Sequence, residues 1–445
     1  MPDADLIIQA RWVIPVDAEN TQLNNHAIAI VDGRISAIFP AADIHRWNAA
    51  QIIDYSSHAL IPGLINTHTH AAMSLFRGIA DDLPLMQWLE NHIWPAEQAF
   101  VNEQFIQDGS QLAIAEMLRS GTTCFSDMYL FPEITARIAA TIGIRCSIGL
   151  IVIDFPTAYA DTPEAYISKG LELYDEYKHH PLVNFTFAPH APYTVADAPL
   201  QRVRILADEL DIPLHMHVHE TQDEINQGLD KYNMRPLQRL HQLGLIEPGL
   251  LAVHMTQLNE DEIDLLVEKA IQVIHCPESN MKLASGVCPV QKLLDRGINV
   301  ALGTDGAASN NDLDMLGEMK TAALLGKLQQ QDASALPATQ ILRMATINGA
   351  QALGISDQTG SLEVGKWADF CAIDLSGIEN QPIYDPVSQI IYSAGREQVT
   401  DVWVAGQQLL KNRQLTTVDE QDLLKRVESW QQRIRQHSLA GQHGN

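Results

Sequence analysis

Between residues 59 and 308, apolar runs alternate with amphipathic segments, and this alternation restricts the fold more than any other feature of the chain. The first run begins at Ala59 and leads through Ile65 to His68. Seven more read as short buried strands, at 122–128, 145–153, 183–188, 213–218, 250–254, 271–275 and 299–303. The segments between them, such as 104–119, 163–177, 200–210 and 260–269, carry apolar residues at helical spacing. Eight strands separated by helices over about 250 residues are what a (β/α)8 barrel requires. The competing architecture, a doubly wound sheet, more usually holds about six strands.

The flanks have a different rhythm. Residues 1–58 read as short strands at 6–10, 12–16, 27–31, 34–38 and 51–54, with Asp32-Gly33 as a hairpin turn. Beyond the barrel, helices continue through 313–330 and 338–352. A β pattern then returns at 361–366, 368–373 and 400–404, with Ala405-Gly406 as a turn, and 419–437 is a charged amphipathic helix. The expected division has residues 1–58 as the N-terminal part of a small β-sandwich and 59–359 as the catalytic barrel. Residues 360–445 supply the C-terminal part of the sandwich and a terminal helix. Such a domain is discontinuous, and sequence alone does not show how its pieces pair.

A barrel of this kind places its chemistry at the C-terminal ends of its strands. Here those ends carry His68 and His70, Asp127, His190, the cluster His215-Met216-His217-Val218-His219-Glu220, His254, His275 and Asp305. Core filling would put aliphatic residues at such positions, so the set as a whole points to a site. His68 and His70, two apart on a strand, share a face. Two converging neutral imidazoles make half of a first-row metal site. Alone, the pair also fits a hydrogen-bonded core histidine beside a solvated one, and the remaining ends decide. His215, His217 and His219 share parity, so periodicity leaves open which of them would be a third ligand. Asp305, in Leu302-Gly303-Thr304-Asp305-Gly306, offers either an anionic ligand or an Asx-type turn.

Composition narrows the class. An apolar fraction of 46% with 19% charged residues fits a globular, enzyme-sized chain. Fifty-five acidic against 29 basic residues give a net charge of −26, which repels phosphate backbones and anionic membranes. Cys124, Cys146, Cys276, Cys288 and Cys371 are scattered and odd in number, as expected of free thiols in a reducing compartment. The acidic start Met1-Pro2-Asp3-Ala4-Asp5 does not resemble a signal peptide, and no apolar run reaches membrane-spanning length. A cytoplasmic location is expected, with no nucleic-acid or membrane partner.

The motifs at 62–70, His217-Val218-His219-Glu220-Thr221, Val253-His254, His275-Cys276-Pro277-Glu278-Ser279-Asn280 and Gly303 to Asn310, in this order, resemble the amidohydrolase superfamily. Within it the chain is similar to the 5′-methylthioadenosine/S-adenosylhomocysteine deaminases, and Gly365-Lys366-Trp367-Ala368-Asp369 matches their return to the β domain. The resemblance implies a metal-dependent hydrolase barrel holding one divalent ion, zinc or iron, on His68, His70, His217 and Asp305. It chooses His217 from the fifth-strand cluster. It also implies that Glu97 binds ribose hydroxyls and that His190 contacts the substrate, with Trp88 as an apolar wall. Without it, Glu97 would read as an exposed helical residue, His190 as a turn histidine and Trp88 as helix packing.

The implied reaction is hydrolytic deamination of an adenine nucleoside by a homo-oligomer. Asp305 takes the proton of a metal-activated water, Glu220 protonates N1 of the ring, and His254 polarises or shuttles a proton to that water. Family members that accept S-adenosylhomocysteine carry an arginine after the third strand, and Leu150 stands at the aligned position here. Arg145 matches a more interior position, and Arg77 or Lys282 could instead reach the carboxylate. The expectation is therefore a preference for 5′-methylthioadenosine, with S-adenosylhomocysteine and adenosine as further substrates. The alternatives are guanine or 8-oxoguanine deamination, triazine hydrolysis, or a catalytically inactive barrel-shaped assembly protein.

Overall fold

The computed structural model describes the backbone of residues 1–442 and the side chains of residues 1–437. Four strands open the chain: β1 (Asp3–Val13), β2 (Leu23–Val31), β3 (Arg34–Pro40) and β4 (Asn48–Pro62). Eight more follow: β5 (Leu64–Thr69), β6 (Thr122–Asp127), β7 (Arg145–Val152), β8 (Val183–Pro189), β9 (Leu214–Val218), β10 (Leu250–His254), β11 (Gln272–His275) and β12 (Asn299–Leu302). The last four are β13 (Phe370–Asp374), β14 (Val399–Val404), β15 (Gln407–Lys411) and β16 (Gln414–Leu415).

Strands β5 to β12 hydrogen-bond in sequence order, all parallel, with helices such as Glu103–Arg119 and Pro163–Tyr177 on the outside. The ends of this sheet meet without a full ladder. Thr67 Oγ1 donates to the carbonyl of Leu302 at 2.7 Å, and Asp305 N donates to the carbonyl of His68 at 3.0 Å. The result is the (β/α)8 barrel expected from the alternation. At this seam the chains approach closely: a Cβ on Gly303 would stand 2.8 Å from His68 N and 2.9 Å from its Cβ, so only glycine fits there.

The remaining strands form one mixed sheet in the order β16-β15-β14-β13-β4-β1-β2-β3. N- and C-terminal pieces meet where β13 pairs antiparallel with β4, while β1 pairs parallel with β4. The β2–β3 hairpin turns on Asp32 and Gly33, both at positive φ, 49° and 73°, as a two-residue primed turn demands.

The structure differs from the sequence reading in four places. The strands expected at 6–10 and 12–16 are one strand, β1, with a register shift between Ala10 and Trp12, and residues 14–16 lie outside it. Strand β4 runs on to Pro62, so the apolar stretch from Ala59 is divided between two sheets, with Gly63 at the crossing. Residues 361–366 form turns instead of a strand. Their backbone crosses the end of β3, where Ile35 N bonds Lys366 O and Gly365 N bonds Ile35 O, and leaves only an isolated bridge between Arg34 and Trp367. The helical stretch at 338–352 is interrupted, giving Ala338–Met344 and Ile347–Ala352.

Candidate active site

Strand alternation aims His68 into the barrel lumen, and His70 follows just past the end of β5. His217 lies on β9, and Asp305 stands beyond β12 at φ 66°. One nitrogen or oxygen from each of these four residues falls within 4.8 Å of all the others. Asp305 Oδ1 is 3.4 Å from His68 Nε2 and 3.3 Å from His70 Nε2, and the Nε2 atoms of His68 and His217 are 3.1 Å apart.

The hydrogen bonds behind the rings test whether a cation fits. His70 Nδ1 donates to the carbonyl of Met128 at 2.5 Å, and His217 Nδ1 donates to the carbonyl of His190 at 2.8 Å. A neutral imidazole that donates through Nδ1 has only a lone pair at Nε2. Lone pairs and a carboxylate oxygen converging in a buried space repel one another unless a cation lies among them. Asp305 is held for this role. Its Oδ2 accepts from Ser279 Oγ at 2.6 Å and Ser309 Oγ at 3.1 Å, and its Oδ1 accepts from Gly306 N at 2.7 Å. Three donors favour its ionised form. Three imidazoles and one carboxylate are a donor set for a divalent first-row ion.

The fifth-strand ambiguity resolves through the backbone. His215 and His217 both face the lumen, but only His217 joins the four. His219 adopts φ 55°, which breaks the alternation, and its Nε2 accepts from Leu237 N at 3.1 Å. It is buried away from the site.

Glu220 lies at the metal side, its Oε2 3.8 Å from His254 Nε2. Burial, reinforced by the carboxylates of Asp305 and Glu224, pushes Glu220 well above the usual carboxylate range. Asn280 Nδ2 lies 2.9 Å from His254 Nδ1 and fixes that ring. Burial, opposed by Asp305, brings His254 down to about 3, so it is neutral.

Two small cavities open beside these groups. One of about 50 Å³ is bordered by His217, Glu220, His254, Asp305 and Tyr193. The other, about 110 Å³, is bordered by His70, Glu97 and Tyr129 and by apolar side chains that include Ile93, Trp94, Leu130, Ile151, Ile153 and Phe155. Trp88, Leu89 and His190 border both, so they form the wall between the two. Glu97 accepts a hydrogen bond from Tyr129 Oη at 2.7 Å, and burial raises its pKa. It occupies the outer cavity, not an exposed helix face. His190 bonds Thr194 Oγ1 through Nδ1 at 3.0 Å and is lowered by burial and the neighbouring imidazoles to about 3.

Other expectations fail or change. Leu150 does not border either cavity. It points out of the barrel against the helix Pro163–Tyr177, where a Cβ on Gly170 would meet Leu150 Cβ at 3.2 Å. The residues of that strand end that face the cavity are Ile151 and Ile153. Lys282 is bound to Asp81 and Asn311, each at 2.6 Å, and Arg77 pairs with Glu116. Arg145 is buried against Asp369. Asp127 accepts from Thr69 Oγ1 and Ala71 N, so it shapes the turn after His70 and is no ligand. His275 borders neither cavity. Sequence reasoning missed Tyr129, Tyr193, Ser279 and Ser309. Ser279 stood inside a quoted motif, whereas nothing in its neighbourhood distinguished Tyr129 from a packing residue.

A barrel whose strand ends converge such a donor set is a metal-dependent hydrolase fold. Residues 59–409 match the amidohydrolase family, and the chain belongs to it. Its relatives include the 5-methylthioadenosine/S-adenosylhomocysteine deaminase of Saccharophagus degradans, 50% identical over 98% of both chains. The enzyme of the same name from Teredinibacter turnerae is 48% identical over 97% of this chain and 98% of its own. Among solved structures, an adenosine deaminase from Xanthomonas campestris with bound zinc superposes with a TM-score of 0.96. It is 49% identical and is matched over 98% of this chain and 99% of its own. Atrazine chlorohydrolase from Arthrobacter aurescens, complexed with zinc, shares the fold at 24% identity and a TM-score of 0.89, over 96% of this chain and 99% of its own. The chain is a hydrolytic deaminase of this family.

Proposed function

We propose that the enzyme deaminates the adenine ring of 5′-methylthioadenosine, giving 5′-methylthioinosine and ammonia. The observation that carries this reading is the outer cavity, where half-buried Glu97 stands among apolar side chains one wall away from Glu220. Glu97 accepts the ribose hydroxyls, and the apolar side chains receive the methylthio group. His68, His70, His217 and Asp305 would hold one divalent ion, zinc being the form bound in the Xanthomonas relative. Such an ion, when bound, ionises water near pH 7. Asp305 would receive the proton released there and pass it to the amine as the C6–N bond breaks and ammonia leaves, while protonated Glu220 delivers its own to N1 as C6 is attacked and regains one from the hydroxyl on C6 as the carbonyl forms. Neutral His254, steadied by Asn280, hydrogen-bonds the attacking oxygen. Trp88 and His190 hold the ring against that edge.

Among the described residues no lysine or arginine borders the outer cavity. The amino-acid tail of S-adenosylhomocysteine therefore lacks a cationic partner there, whereas a methylthio group needs none. A hydrogen bond to a charged group contributes about 1.5–3 kcal/mol, roughly 10- to 150-fold in a rate ratio. The expected kcat/KM for 5′-methylthioadenosine exceeds that for S-adenosylhomocysteine by more than about tenfold. Ammonia release assayed for both substrates and for adenosine tests this, and equal values would overturn it. Free bases and triazines leave Glu97 without a partner, so they should be poor substrates.

Five buried, unpaired cysteines fit a reducing, cytoplasmic setting, and among the described residues no helix is long and apolar enough to cross a membrane. Assembly as a homo-oligomer belongs to the same reading and is measured by light scattering.

A further inference from the structure

Each histidine that turns Nε2 toward the common centre needs an acceptor behind its Nδ1. For His70 and His217 that acceptor is a backbone carbonyl. For His68 it is a side chain: His215 Nε2 lies 2.9 Å from His68 Nδ1. His215 is fully buried, stands outside the four-residue group, and turns its own Nδ1 toward Ser126 Oγ at 3.4 Å.

We propose that His215 is a positioning residue for the metal, the acceptor that holds His68 as its Nδ1–H tautomer and so leaves the His68 Nε2 lone pair for the cation. The proposal rests on the reading that the four residues bind a divalent ion. The direction of the relay follows from the ring chemistry. A neutral imidazole offers one donor and one acceptor. With the Nε2 lone pair of His68 reserved for a cation shared with Asp305 and His217, its proton must sit on Nδ1, and in a fully buried site that N–H requires a partner. His215 accepts it through Nε2, carries its own proton on Nδ1, and donates toward Ser126. Among the described residues no carboxylate bonds the Nδ1 of any of the three rings, so the partner of His68 Nδ1 is one neutral side chain. A backbone carbonyl behind a ligand survives any substitution at its residue; this acceptor does not. The motif His215-Met216-His217-Val218-His219 thus divides into a support, a ligand and a residue turned out of the site.

The test is zinc affinity, measured by competition with a chromophoric chelator on full-length protein stripped of metal. Loss of such an outer partner typically weakens metal binding about 10- to 100-fold. His215→Leu should show that loss, while His215→Gln, whose amide oxygen can reach the same hydrogen, should keep most of the affinity. A merely space-filling role would be served as well by leucine as by glutamine. The melting curve of each metal-free variant checks that the fold is intact; if His215→Leu does not fold, His215→Met replaces it in the comparison. Wild-type affinity in the leucine or methionine variant overturns the proposal, as does a glutamine variant no better than either. Failure of the wild-type protein itself to bind zinc or another divalent ion would overturn the metal reading along with it.

Discussion

Among the described residues no hydrogen-bond donor reaches the Glu220 carboxyl, and burial together with Asp305 and Glu224 pushes it well above the usual carboxylate range. Asp305, with donors at both oxygens, is its opposite. Two carboxyl groups driven apart in this way are a ready acid and base. Glu220→Gln should therefore lower kcat by about 10²- to 10⁴-fold, the usual range for general acid catalysis, with zinc content unchanged. Zinc lost in proportion to activity would show that Glu220 is a ligand instead. Chelation of the wild-type enzyme should abolish turnover, and added zinc should restore it; activity in metal-free protein would contradict the site. At this scale the sequence was informative about residue types and less so about direction. The His-x-His pair was legible through strand parity, whereas Asp305, beyond the end of β12 at φ 66°, stood open between a ligand and an Asx-type turn until the resemblance chose it. The choice among His215, His217 and His219 was not: the positive φ of His219 removes it, and His215 differs from His217 only in lying behind His68, and periodicity reports neither.

Elements were read more reliably than the faces they present. Each barrel strand lies within or at the end of a predicted apolar run, the first only from Leu64 since Ala59–Pro62 join the other sheet, and helix Pro163–Tyr177 begins and ends on the expected residues. Yet on β7 the alignment set Leu150 against the substrate when its side chain packs between strand and helix, beside Gly170. A slip of one residue exchanges the two faces of a strand. Leu150→Arg should consequently not recruit S-adenosylhomocysteine. An unpaired guanidinium in that layer costs several kcal/mol, so the variant should be insoluble or unfold at much lower urea. Ile153→Arg, placed on the cavity side, is the change expected to raise the S-adenosylhomocysteine rate relative to 5′-methylthioadenosine. A stable Leu150→Arg enzyme with that altered preference would show the face is misassigned. Residues 361–366 were misread for a related reason. Their alternation suits a strand, but the backbone partners available at the end of β3 extend to a single bridge.

At the scale of the whole molecule, the terminal sheet is built from segments more than 300 residues apart, and sequence could suggest but not show that β13 would pair with β4. One contact between this sheet and the barrel is a buried ion pair. Arg145 opens β7, and both its Nε and Nη2 lie 2.9 Å from Asp369 Oδ2, with the side chains 1% and 0% exposed. Asp369 Oδ1 accepts from Ala405 N at 2.6 Å, its carbonyl accepts from Gly63 N at 3.1 Å, and Arg145 Nη1 donates to Pro181 O at 3.1 Å. The pair thus ties β7, the β4–β5 crossing and the β14–β15 turn together, which explains the aspartate in the Gly365 to Asp369 segment. Removing one partner leaves the other charge buried and unmatched, at a cost of about 3–5 kcal/mol. Arg145→Leu and Asp369→Leu should each lower the urea midpoint of the metal-loaded enzyme sharply. The double variant should lose less than the two singles combined, because it leaves no orphaned charge. Residual folded enzyme should keep its kcat, since neither residue borders the cavities. Strict additivity in this cycle would mean that the two groups act independently and that the sheet is held to the barrel by its other contacts, such as the Arg119 and Arg413 guanidiniums that each donate to the other's carbonyl.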